Sequence, residues 1–124
     1  MQLTAADDEL FHAGYWLAKT GRYQEARAIL ERVRVKDERV LTYIGFATRK
    51  LGDVAAALPL YDAALAINPN YTVARAYLGE AYLTRGEPDR ARAELAEIAA
   101  RTGATSAPYL DLARHIADYE RAEG

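Results

Sequence analysis

The sequence predicts an all-α fold of seven short helices, and three observations carry that prediction. The 124 residues are 51% hydrophobic, with Ala and Leu abundant and only eight Gly and four Pro. Ala and Leu lose little conformational freedom on entering a helix. Small residues recur at a fixed spacing, at Gly14/Gly45/Gly79, Gly21/Gly52/Gly86 and Ala26/Ala57/Ala91. Helix starts and stops then cut the chain into segments of about 14–16 residues, within the range of typical globular helices.

Taken in order, the apolar spacing and caps predict helices over about 5–20, 22–35, 38–51, 54–67, 71–85, 88–101 and 107–121. Asp7, Asp8 and Glu9 open the first helix, where their charges complement its positive end. The segment Arg34 to Asp37 turns without Pro or Gly, and Asp37 is the expected cap of the third helix. Gly52 ends that helix and Asp53 caps the fourth. Pro59 falls about a turn and a half into the fourth helix, where it removes one backbone bond and bends the helix locally. Pro69 stops that helix and Asn70 is placed to cap the fifth. Pro88 sits at a first helical position, which tolerates it. Pro108 opens the last helix, which sets Tyr109, Leu112, Ala113 and Ile116 on one face and Asp111, Arg114, Asp118 and Arg121 on the other.

Composition excludes several functions. The net charge of −2 lacks the basic excess on which phosphate binding depends. With no cysteine, disulfides, thiol catalysis and thiolate metal sites are ruled out. The start of the chain has no basic segment followed by an apolar one, and no run approaches membrane-spanning length. The expectation is therefore a cytoplasmic protein that neither inserts in a membrane nor binds nucleic acid. His12 and His115 lie far apart without ligand-spaced partners, and the glycines are spaced rather than clustered into a phosphate loop. No catalysis, metal or cofactor is expected. Tyr23, Tyr61 and Tyr82 recur at core positions.

A shift of 34 residues aligns Tyr43 with Tyr77, Gly45 with Gly79, Ala47 with Ala81, Gly52 with Gly86 and Ala57 with Ala91. A shift of 31 aligns Leu10 with Leu41, Gly14 with Gly45, Lys19 with Lys50, Gly21 with Gly52 and Ala26 with Ala57. The period and pattern resemble the tetratricopeptide repeat, two antiparallel helices in about 34 residues. The middle copy matches best, through Leu41, Ile44, Gly45, Gly52, Ala57, Tyr61, Ala64 and Pro69, with Thr48 where an aromatic is usual. The third departs at Arg75, Leu95 and Ile98, and the first carries Leu17 and Leu30 in place of aromatics. Gly45 and Ala57 are small so that two helices can approach closely, with Ile44 and Tyr61 filling the flanks. The resemblance implies one domain, residues 1–124: three repeats (about 7–37, 38–71 and 72–105) and a capping helix (about 106–122), wound as a short right-handed superhelix.

It also implies a concave groove lined by the first helix of each repeat. The matching positions are Asp8, Phe11, Tyr15, Ala18 and Lys19, then Arg39, Thr42, Phe46, Arg49 and Lys50, then Val73, Ala76, Glu80, Leu83 and Thr84, with Tyr43 and Tyr77 beside them. Phe11, Tyr15 and Phe46 stand at positions the core does not require, ringed by Lys19, Arg39, Arg49 and Lys50. Aromatic anchors beside arginine suit a protein or peptide partner with apolar anchors and some negative charge. The alternative is a solvated charged face whose aromatics cover the end of the stack. Relatives that grip the C-terminal carboxylate of heat-shock chaperones use Lys, Asn and Arg. Here Phe11, Tyr15, Tyr43, Val73 and Tyr77 stand at those places, so that clamp is missing.

The expected function is an adaptor or chaperone-like binding module, similar in size and repeat number to bacterial secretion chaperones of this class. The rival is a self-assembling scaffold. Trp16 bears on that rival, because Ala47 and Ala81 hold its place in the other copies. It either packs under its own N-terminal turn, with Leu3 as cover, or meets a second copy in a symmetric homodimer, the arrangement slightly favoured.

Overall fold

The computed structural model describes residues 4–124. Its elements are seven helices: α1 (Ala5–Lys19), α2 (Tyr23–Glu31), α3 (Glu38–Lys50), α4 (Val54–Ile67), α5 (Thr72–Thr84), α6 (Pro88–Thr102) and α7 (Ala107–Glu123). Side chains cap three of them. Thr4 accepts the Asp7 N–H at 3.1 Å, Asp37 accepts that of Val40 at 3.0 Å and Asp53 that of Ala56 at 3.0 Å. Each of these satisfies a backbone donor that a helix start leaves unpaired. The turns within the helix pairs pass through Gly21, Gly52 and Gly86. Gly52 has φ 102°, a conformation a Cβ would strain, which is why glycine recurs there.

The helices pack as α1 on α2, α3 on α4 and α5 on α6, and each pair stacks on the next. Small residues set the closeness of the pairs. A Cβ added at Gly14 would lie 2.5 Å from the Leu30 side chain, and one at Gly45 would lie 2.8 Å from the Tyr61 ring. At Gly79 the pattern changes partner. Its Cβ would lie 2.6 Å from Leu112, which belongs to α7 rather than α6. Helix α7 packs on both α5 and α6, and more broadly on α5 than α3 does.

One buried cluster runs from Phe11 and Leu30 through Tyr61 to Leu78 and Ala81, and a second joins Ala76, Leu83, Ala91, Ile98, Leu112 and Ile116. Burying Leu112 and Ile116 contributes roughly 1.5–3 kcal/mol each, so α7 is part of the second core. Among the described residues, no helix is long and apolar enough to cross a membrane.

The structure corrects three local expectations. Helix α2 stops at Glu31, not near residue 35, because the segment after it is held elsewhere: Val33 is fully buried and the Arg34 N–H donates to the Asp7 carboxylate at 3.1 Å. Asp7 is accordingly no exposed helix-end charge. It is buried and ties α1 to the link between the first two repeats. That backbone hydrogen bond from Arg34 is the main reason its carboxyl sits below the usual range; desolvation opposes, and Thr4 and the Arg34 charge assist. Asn70 does not cap α5; its side chain accepts a hydrogen bond from Arg101 at 2.6 Å, and Tyr71 precedes the helix without a capping side chain. Among the tyrosines, Tyr61 is fully buried, while Tyr23 and Tyr82 are half-buried at the edge of the core. Pro59 lies inside α4 on its exposed face, where water can take the freed carbonyl.

Candidate functional site

Helices α1, α3 and α5 lie side by side as the inner layer, and an aromatic chain runs across them. Ring centroids are 4.9 Å apart for Tyr15 and Tyr43, 5.9 Å for Tyr43 and Tyr77, and 4.8 Å for Phe46 and Tyr77. Phe11 joins at 6.1 Å from Tyr15. Most are edge-on or tilted, the arrangement aromatic quadrupoles prefer.

Here the reading of Phe11 and Phe46 as projecting anchors is corrected. They expose 5% and 9% of their surface, and Tyr43 and Tyr77 expose 5% and 8%. These rings fill the space between successive first helices, so the core does require them. Thr42 is fully buried and its hydroxyl donates to the Glu38 carbonyl at 2.6 Å. Ala18, Ala76 and Leu83 are buried as well, while Tyr15 and Val73 are half-buried. Burial pushes the Tyr43 hydroxyl up to about 12 and raises Tyr77 too, so both stay neutral donors.

The basic residues divide into two kinds. Arg39 lies over the Phe11 ring at 4.3 Å and pairs with Asp37 at 3.3 Å and Asp8 at 3.8 Å. Arg49 is nearly buried and pairs with Glu80 at 3.2 Å. Both charges are already answered within the molecule. Lys19 and Lys50 are exposed, with ammonium groups 5.9 Å from the Tyr15 ring centre and 5.7 Å from that of Phe46, and no ion pair joins them among the described residues. Thr84 is exposed at the rim.

What the inner face offers is a cavity of about 380 Å³. Its lining combines Lys19 from α1, Tyr43 from α3, Val73, Ala76 and Tyr77 from α5, and Ala107, Pro108 and Asp111 from the start of α7. The α7 wall was missed in the sequence because its residues follow the last repeat and lie some thirty positions beyond their α5 neighbours in the cavity.

Behind that wall is a charged cluster. His115 Nε2 is 3.4 Å from Glu80 Oε1, and Asp111 lies one turn before His115 on α7. The three residues' ligand-capable atoms fall within 4.8 Å of one another. Burial pushes the Glu80 carboxyl up, the charges of His115 and Arg49 oppose that, and Asp111 adds to it. The expectation that His115 lacks ligand-spaced partners is thus corrected: the Asp111–His115 spacing of four was its visible half, and Glu80 reaches it only through the fold. His12 makes the same spacing with Asp8, at 3.5 Å on the exposed side of α1.

Sequence profiles described as tetratricopeptide repeat match residues 49–116, more than half of the chain, and residues 10–37. No curated protein sequence matches significantly. Among solved structures, PcrH in complex with the chaperone binding region of PopB is similar at TM-score 0.75 and 20% identity, over 94% of this chain and 97% of that one. MamA from MSR-1 is similar at TM-score 0.70 and 24% identity, over 97% and 71%. MamA from AMB-1 is similar at TM-score 0.71 and 26% identity, over 92% and 69%.

Proposed function

For this chain, which belongs to the tetratricopeptide-repeat family, we propose a binding role: it holds a segment of a partner protein in the cavity between α1, α3, α5 and α7. The observation that carries this is the cavity itself, about 380 Å³ with Tyr43 and Tyr77 in its lining and Lys19 at its edge. A pocket of that size takes a large apolar side chain with its neighbours. The free charge of Lys19 favours an acidic residue beside that anchor, while Arg39 and Arg49, engaged internally, add little. The similar PcrH structure, which seats a region of PopB, supports an adaptor or chaperone-like use of the fold.

A photo-crosslinking residue at Ala107, on the lip of the cavity, tests this against one at Ala63, exposed on α4. Crosslinks to a discrete partner from Ala107 and not from Ala63 are expected. Equal capture at both positions contradicts the cavity as the site. Lys19→Glu should then weaken capture at Ala107.

A second reading, self-assembly, is favoured by one observation. Trp16 exposes 63% of its surface, stacked edge-on against Tyr15 at 5.3 Å. A second copy would cover it, as a symmetric dimer does most simply. Leu3, the alternative cover, lies outside the described residues. Sedimentation over a concentration range separates the two, since a chain that stays monomeric at high concentration has no such interface.

A further inference from the structure

We propose that Glu80, Asp111 and His115 form a binding site for a divalent first-row transition ion such as Zn²⁺. The proposal begins with the imidazole. His115 Nδ1 lies 2.8 Å from the backbone carbonyl oxygen of Asp111. A carbonyl oxygen only accepts, so Nδ1 carries the hydrogen. In the neutral ring this leaves the lone pair on Nε2. Nε2 faces Glu80 Oε1 at 3.4 Å. A lone pair and a carboxylate oxygen at that distance need a cation between them, either a proton or a metal ion. Fixing one ring nitrogen on a backbone carbonyl is also how proteins orient a histidine for a metal.

A second observation points the same way. Glu80 exposes only 6% of its surface, and its Oε2 is buried with no hydrogen-bond partner. An unpaired buried carboxylate oxygen is costly unless something positive meets it. Oε1 is held by Arg49 at 3.2 Å, which leaves Oε2 to ligate and gives the carboxylate the outer-shell support that metal ligands receive. Asp111 adds a half-exposed carboxylate one helical turn before His115; its Oδ1 is 3.8 Å from Nδ1, and the side chain must turn toward Nε2 to share the ion. Metal–ligand bonds of about 2.0–2.2 Å place tetrahedral ligand atoms roughly 3.3–3.6 Å apart. The 3.4 Å between Nε2 and Oε1 brings the Glu80 carboxylate to that range of the imidazole, and one ligand-capable atom from each of the three residues lies within 4.8 Å of the others.

The donor set selects the ion. One imidazole with two carboxylates suits zinc and its neighbours, whereas calcium and magnesium prefer oxygen alone. The groups opposing a cation are Arg49 from α3 and Arg114 from α7, the latter exposed and 2.5 Å from Asp111 Oδ1. Arg114 must release that oxygen or share it, so Arg114→Ala should tighten binding. Asp111 also lines the cavity, which gives the ion a route in from solvent. The site joins α5 to α7 and shares Asp111 with the cavity lining, so the titration uses the chain without a partner.

Calorimetric titration of the full chain with Zn²⁺ at pH 7.5, paired with the visible spectrum of the Co²⁺ form, tests it. One ion per chain is expected, with a Co²⁺ spectrum of tetrahedral intensity. His115→Ala and Asp111→Asn should each weaken binding by more than about tenfold, a loss that even outer-shell partners cause. His12→Ala should leave it unchanged, because His12 and Asp8 make an exposed pair with no buried carboxylate. Circular dichroism checks that each variant is folded. Absence of Zn²⁺ uptake by the wild type, or uptake lost in His12→Ala and kept in His115→Ala, overturns the proposal.

Discussion

The first two repeats and the third carry the same small residue at the same place, yet they clasp different helices. Gly14 meets Leu30 and Gly45 meets Tyr61, in each case on the very next helix. Gly79 meets Leu112, two helices on. In the first two repeats the glycine closes a pair. In the third it admits a helix from outside the repeat, and α7 becomes a wall of the inner face as well as a cover for the second core. A repeat position therefore specifies how close a neighbour may come, while the neighbour's identity is settled by which helix is free to pack there.

The largest expected effect tests whether α7 is integral to that third unit. Removing residues 106–124 uncovers Ile98, Ala91 and Leu83 together and should leave α5 and α6 unfolded or aggregating, read by circular dichroism and light scattering. Phe46→Ala, which opens the aromatic chain in the first core, should cost about 3–5 kcal/mol in chemical denaturation. Its single-site counterpart in the second core, Leu112→Ala, should cost about 2–5 kcal/mol. Overpacking Gly45 with Leu should cost about 1–3 kcal/mol or more, since a Cβ there already meets the Tyr61 ring at 2.8 Å.

The smallest effect belongs to the link between the first two repeats. Asp7 has a lowered carboxyl pKa in the folded chain. Its contribution is therefore present above the ordinary aspartate value, about 3.9, and fades as pH falls through the depressed folded value. Asp7→Asn should melt lower than wild type at pH 7, and the gap should close in acid. A gap independent of pH would show that the carboxylate's charge is not what holds Arg34.

The helices were legible because their signals are local. Asp37 and Asp53 cap as their positions in the sequence indicate, and the recurring turn glycine at Gly52 has positive φ. What was not legible depends on distance along the chain. Asp7 and Arg34 are 27 residues apart, and Arg49 and Glu80 are 31 apart. Repeat spacing places Phe11 and Phe46 on the inner face, but whether that face is open or filled depends on how tightly successive first helices approach. In this stack they approach closely enough for the rings to be buried. Asn70 shows the same limit at a helix start. A side chain fit to cap α5 is drawn instead to Arg101, whose guanidinium the fold brings within 2.6 Å.

The most direct test of the account is hydrogen exchange on the chain alone and with the partner identified through Ala107. The account predicts added protection along α1, α5 and the first turn of α7, around Lys19, Val73 and Ala107 to Asp111. Protection confined to α2, α4 and α6, with the inner layer unchanged, would contradict it.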